Sequence, residues 1–302
     1  MTGAARMLSH ARLAARIGAG ARGRTVIALA LLVGQACCGQ RPPVVRPGPP
    51  PSAEQLLAIL AARQSALHGM NARARATSWI GGDRLRATVL MLVDRRGQLR
   101  FEAEVSLQGT VSILTTQVAA SDASAGARFQ LLDLRNNRLQ QGPACPENVA
   151  SLIRIPLVPD EVAAILLGDA RLPPATQPAD AAVEWDAGRG ADVLVIKDGA
   201  TERRVFFAPD GAGRSEGSEI RGAAASNATG PLWRTSYEDF VDAGAGLRLP
   251  TTIRFAERAG SFDEGVEINF KDRAPNAELR PGVFVIAPPA GAEVIEVGCG
   301  PR

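Results

Sequence analysis

The residues best placed to do chemistry are four cysteines, in two groups: Cys37 and Cys38 side by side near the N-terminus, and Cys145 and Cys299 far apart in the remainder. A thiol at the end of an apolar run, preceded by a small residue, can be acylated by a diacylglycerol and become the first residue after cleavage. Cys37 follows Ala36 and meets that description. Cys38 fits less well, since Cys37 would precede it and Gln35 would stand three residues before it. The surroundings of Cys37 depart from the usual pattern in having Gly34 where leucine is common, with Gln35 next to it. The competing reading is an ordinary secretory cut near Ala36. Cys145 and Cys299 form an even pair in a chain read as exported, where an oxidising compartment favours a disulfide between them. No histidine lies near either, so a zinc site is the weaker reading.

Other chemistry is sparse. One of the two histidines, His10, precedes Cys37, so a metal site or a histidine-dependent triad would rest on His68 alone. His68 reads as a surface residue at a helix end. The acidic pairs Glu102/Glu104 and Asp263/Glu264 fit strand alternation and a turn. As a glycosidase pair they would lack an aromatic platform, for the chain has 3 Trp and 1 Tyr. No glycine-rich phosphate loop is present. No catalytic residue, cofactor or metal is assigned, and the expectation is a protein that is not an enzyme.

The elements that must position these cysteines begin with the export signal. Met1 to Arg24 carries Arg6, Arg12, Arg16, Arg22 and Arg24 and no acid, and Thr25 to Gly34 is uncharged. That order of basic and apolar regions is a signal peptide, and the apolar run is too short for the roughly 20 residues of a membrane-spanning helix. The whole chain has 34 Lys+Arg against 31 Asp+Glu, a net +3. Without the five leading arginines the balance is 29 against 31, a net −2. The basic character belongs to the leader, and no nucleic-acid partner is expected.

Gln40 to Pro51 is proline-rich and reads as an extended tether. Ser52 and Gln55 form a capping box for a helix whose apolar stripe holds Leu56, Leu57, Leu60 and Leu67, with Arg63 at its edge. That helix packs on a core or, in the alternative, lies on a membrane surface. From Asn71 the period changes to two. Strands are expected through Asp133, with a turn at Asp94-Arg95-Arg96-Gly97. Two short helices follow between Pro146 and Gly168, and strands resume at Val183–Asp186, Asp192–Lys197, Thr201–Ala208, Trp233–Phe240, Thr251–Glu257, Gly265–Lys271 and Val283–Ala287. Pro209 to Pro231 reads either as a loop or as a hairpin of weak strands. The division is a signal peptide at 1–36, a lipid anchor and linker at 37–51, and a single β-rich domain at 52–302. One sheet face is apolar. The helices over it either fill the space as ordinary core or leave an apolar groove.

This order of features resembles the LolA/LolB-like (lipoprotein localisation factor) superfamily and its uncharacterised lipoprotein relatives. The resemblance runs through the anchor Cys37, the helix Ala53 to Leu67, the strand element Asp94 to Glu102, and the strand–turn–strand Phe129 to Gly142. It continues through the helix–Pro156–helix segment ending Leu166-Leu167-Gly168, the strand Thr251 to Phe255 after Pro250, and Val283 to Pro289. It implies a mainly β fold with some α, an incomplete antiparallel β-barrel with helices covering or plugging its concave face. It further implies an envelope lipoprotein that binds a lipid or lipoprotein acyl chain in an apolar cavity. The alternative is a scaffold lipoprotein with an envelope protein partner. The expected location is the periplasmic side of a membrane; with no acidic residue beside Cys37, the outer membrane is favoured.

Overall fold

The computed structural model describes residues 42–80, 83–105, 108–118, 126–174, 176–209, 219–244, 246–258 and 260–300. The expected signal at 1–36 and the candidate attachment site Cys37 lie outside them.

The first helix, α1 (Ala53–Ala66), starts where the capping box sets it. The Ser52 hydroxyl accepts from the Gln55 N–H at 3.1 Å, and the Gln55 side-chain oxygen accepts from the Ser52 N–H at 2.7 Å. Leu56, Leu60 and Leu67 are buried, so the apolar stripe faces the core and not a membrane surface.

A meander of six strands follows: β1 (Gly69–Ile80), β2 (Asp83–Asp94), β3 (Gln98–Val105), β4 (Gly109–Val118), β5 (Ala127–Asp133) and β6 (Arg138–Pro143). Alternation drives it. Val89, Met91 and Val93 on β2 and Leu99, Phe101 and Ala103 on β3 are buried, while the residues between them are partly exposed. Asp94 closes the β2–β3 turn by accepting from the Arg96 side chain and backbone, at 3.0 and 2.9 Å. Partial burial works against the Asp94 charge, but these bonds outweigh it and hold the carboxyl below its usual range. Gly97 in the same turn has φ +89°, and an added Cβ would come within 2.8 Å of the Asp160 nitrogen. The turn therefore needs glycine twice over, for its backbone conformation and for its contact with the helix beyond.

Two short helices, α2 (Pro146–Ile153) and α3 (Pro159–Leu166), come next, each with proline in its first turn. A second meander then runs β7 (Ala181–Asp186), β8 (Ala191–Asp198), β9 (Thr201–Phe207), β10 (Ile220–Asn227), β11 (Gly230–Asp242), β12 (Arg248–Glu257) and β13 (Val266–Pro275). β13 pairs with β1 and joins the two meanders. The result is one 14-stranded sheet in the order β14-β6-β5-β4-β3-β2-β1-β13-β12-β11-β10-β9-β8-β7, where β14 is Glu293–Glu296. Every pairing is antiparallel except β14 with β6. β14 and β7 are its two free edges, so the barrel is incomplete. The three helices lie on its concave side. Val162, Ala163, Ala164, Ile165 and Leu166 of α3 are all buried, which makes that helix a plug rather than a cover.

Of the two readings of Pro209 to Pro231, the hairpin of weak strands holds for the described part: β10 is paired on both sides with β9 and β11. Two other sequence expectations are corrected. Val283–Ala287 is not a strand. It crosses the outer face with its polar backbone held by side chains: the Val283 carbonyl accepts from Arg100 at 3.0 Å, and Gln130 bonds both the N–H and the carbonyl of Ile286. Its flanking prolines, Pro281 and Pro288, are poor ladder members. The proline-rich stretch, read as an extended tether, is docked against the domain at Val44 and Arg46. Val44 donates to the Ala187 carbonyl at 2.8 Å, Trp185 Nε1 donates to the Val44 carbonyl at 2.9 Å, and Arg46 lies over the Trp185 ring and pairs with Asp192 at 2.5 Å.

Candidate functional site

Cys145 caps α2 and is joined to Cys299 by a disulfide, with Cα atoms 6.0 Å apart across 154 residues of sequence. Neighbouring bonds hold the same tail. Asn148 of α2 donates to the Gly298 carbonyl at 3.3 Å, and the Val297 N–H donates to the Gln141 carbonyl at 2.9 Å. The cystine thus fastens the C-terminal segment to α2 and to the β6 edge.

The other residues with chemical potential are accounted for structurally. Glu102 and Glu104 pair with Arg100 at 2.7 Å and Arg73 at 3.2 Å. His68 is exposed, and its backbone N–H donates to Asn276. Among the described residues there is no group of three or more His, Cys, Asp or Glu able to hold a metal.

Sequence reasoning missed a buried polar knot. Asp169, directly after the Gly168 that ends α3, is 1% exposed and pairs with Arg95 at 2.8 Å. Its other carboxylate oxygen accepts from the Ala170 N–H, and its backbone carbonyl accepts from the Tyr237 hydroxyl at 2.7 Å. Arg95 also donates to the Leu67 carbonyl at 2.7 Å, and Arg63 of α1 donates to the Gly168 carbonyl at 3.2 Å. The knot ties α1, the β2–β3 turn, the end of α3 and β11 together. Burial pulls the Arg63 guanidinium down from its ordinary value, against the attraction of Asp169, and pushes the Tyr237 phenol up. Such groups are set to hold position rather than to exchange protons. The available signal was an arginine on the apolar stripe of α1 and an acid just past a helix-ending glycine. Tyr237→Phe removes one buried bond and leaves an unsatisfied carbonyl; it is expected to cost about 1–2 kcal/mol, read as a lower urea midpoint.

Among the described residues, the helices leave an apolar cavity over the concave face, about 210 Å³ in volume. Its floor is Val89, Met91, Phe101 and Ala103, and its roof is Leu152, Ile153 and Ile155 from the end of α2 and the following turn. Leu85, 58% exposed, and Val105, 37% exposed, also line it. α3 fills most of the concavity, and an apolar space remains beside it. A wider cleft of about 490 Å³ lies between the docked proline segment and α1, but its walls include Arg46, Asp192 and Gln55. The smaller cavity is the better site because almost all its walls are apolar, so burying an apolar group there removes water from both surfaces. No helix among the described residues is long and apolar enough to cross a membrane.

No family model matches this sequence, and no curated protein is recognisably similar to it. Solved structures are similar in fold. A DUF1329 family protein from Desulfovibrio piger superposes with a TM-score of 0.50 at 9% identity, covering 80% of this chain and 98% of that one. A LolA superfamily protein from Nitrosomonas europaea gives 0.48 at 11% identity, covering 78% and 98%. At these identities the likeness is one of architecture, and the architecture this chain shares with the Desulfovibrio piger protein is a mainly β, unclosed antiparallel sheet curled around helices.

Proposed function

We propose that this protein is a non-enzymatic lipoprotein of the bacterial cell envelope, anchored through Cys37, that takes an acyl chain into the cavity between α2, α3 and the concave sheet face. The observation that carries this reading is the apolar space itself, lined by Val89, Met91, Phe101 and Ala103 below and Leu152, Ile153 and Ile155 above. The signal-like order of residues 1–36, the position of Cys37 and the sequence resemblance to the LolA/LolB-like superfamily support it. At about 210 Å³ the cavity lies below the ~300–1,000 Å³ of sites that enclose a whole small ligand. It therefore suits one end of a chain, the rest following the mouth beside Leu85. The domain at 52–302 stands on the periplasmic side, and the outer membrane is the favoured location.

The test is mass spectrometry of the full chain expressed with its own N-terminus and gently extracted from envelopes. The expected result is a diacylglyceryl cysteine at Cys37 and a copurifying acyl compound. Ala103→Trp, which fills the cavity floor, is expected to reduce that compound at least about tenfold, a loss of roughly 1.4 kcal/mol of binding, without changing the anchor. A chain with no bound acyl compound, or with equal amounts in the filled variant, overturns the cavity reading. An unmodified Cys37 overturns the anchor.

A further inference from the structure

The cavity is apolar in all but a few places, and its charged residues have one sign. Among the described residues that line it, Arg86 and Arg154 are the only charged ones. Both are exposed, and neither side chain forms an ion pair or hydrogen bond with a described residue. Arg73, Arg100 and Arg84 nearby are engaged, with Glu104, with Glu102 and over the Trp79 ring at 5.4 Å, while Arg75 next to them has, like these two, no side-chain partner among the described residues; what sets Arg86 and Arg154 apart is that they line the cavity.

Arg154 stands at a boundary. A second cleft of about 410 Å³, with mixed polar and apolar walls, adjoins the cavity and shares Ser78, Arg154 and Val266 with it. Glu257 and Glu264 line the far part of that cleft and touch none of the apolar cavity. Arg154 also occupies a costly backbone position. It ends α2 in the left-handed region at φ 59°, its N–H donating to the Ala150 carbonyl, and Ile155 after it is fully buried. Glycine or asparagine fills such helix ends with least strain. An arginine there keeps a guanidinium at the cavity mouth at some cost in backbone energy, and strain of this kind points toward function.

We propose that the ligand is an amphiphile with an anionic head group, a carboxylate or a phosphate, whose acyl end enters the cavity while Arg154 and Arg86 hold the charge at its mouth. This rests on the acyl-chain reading above. Guanidinium groups donate paired hydrogen bonds to both anions, and beside an apolar wall the attraction is screened less than in open water.

The test uses the full chain released from envelopes, held in amphipol and stripped of lipid. Dodecanoate, dodecyl phosphate and dodecanol are offered at equal concentration, and the bound fractions are read by native mass spectrometry. The two anions are expected to bind about tenfold more tightly than dodecanol, with the advantage shrinking as salt is raised. The tighter of the two names the head group. Arg154→Gly relieves the left-handed strain, so it is expected to fold as well as the parent. Combined with Arg86→Gln it should abolish the anionic advantage while leaving dodecanol binding unchanged. Equal binding of all three probes, or an advantage that survives in the double variant, overturns the anionic-head inference and leaves the acyl-chain reading standing. If none of the probes binds, both fall.

Discussion

Replacing Asp169 with alanine is expected to lower the unfolding free energy by about 3 kcal/mol, measured as a shifted urea midpoint at unchanged slope. Breaking a buried pair strands the partner's charge, and the usual loss is about 3–5 kcal/mol. The lower end applies because Arg95 is 19% exposed and can turn partly toward water. A domain of this kind holds about 5–15 kcal/mol in all, so the single change consumes a large part of it. The partner experiment separates charge from packing. Arg95→Met combined with Asp169→Leu removes both charges together and is expected to recover much of the loss. A double variant no better than Asp169→Ala would mean that the pair acts through its bonds to the Leu67 carbonyl and the Ala170 N–H rather than through its charge.

Cys145→Ser with Cys299→Ser is the second large effect. A crosslink spanning 154 residues restricts the unfolded chain strongly; loop entropy alone sets a ceiling of about 5 kcal/mol, and about 2–4 is the usual outcome. The folded state keeps other holds on the same tail, the β14–β6 pairing and the Asn148 bond to Gly298. The expected loss is therefore about 2–4 kcal/mol. It should be matched by parent protein treated with a reductant, and hydrogen exchange should rise first at 293–299. A midpoint that does not move on reduction would show that strand pairing alone secures the tail.

These residues show how far the sequence could be read. Where structure is local and periodic it was legible. Alternation on β2 and β3, the Ser52–Gln55 box and the prolines opening α2 and α3 each state a conformation within a few residues. The pairing of Cys145 with Cys299 followed from compartment and number. What was not legible depends on distant neighbours. β10 reads Ile-Arg-Gly-Ala-Ala-Ala-Ser-Asn, too small in its side chains to announce a strand, and it is one because β9 and β11 flank it. Val283–Ala287 alternates like a strand, yet side chains from Arg100 and Gln130 take the places of ladder partners. The Asp169 knot joins four separate stretches of chain. The cavity was legible only as a possibility, since it is the volume that α2 and α3 fail to fill. Arg86 and Arg154 could not be singled out, because only the folded chain brings them to the mouth of one cavity.

An unclosed sheet has two rims, and a row of unused backbone donors and acceptors at a rim recruits further strands, including those of another copy. Here β14 forms one rim and residues 44–46 lie against the other. At one, β14 is only four residues long, carries Glu293 and Glu296, and is fastened by the nearby cystine. At the other, Val44 and Arg46 lie against the β7–β8 hairpin, with Arg46 donating to the Glu184 carbonyl of β7 at 3.4 Å. Residues 44–46 at one rim and the short, acidic β14 at the other are features of the kind that blunt a sheet edge against pairing with another copy.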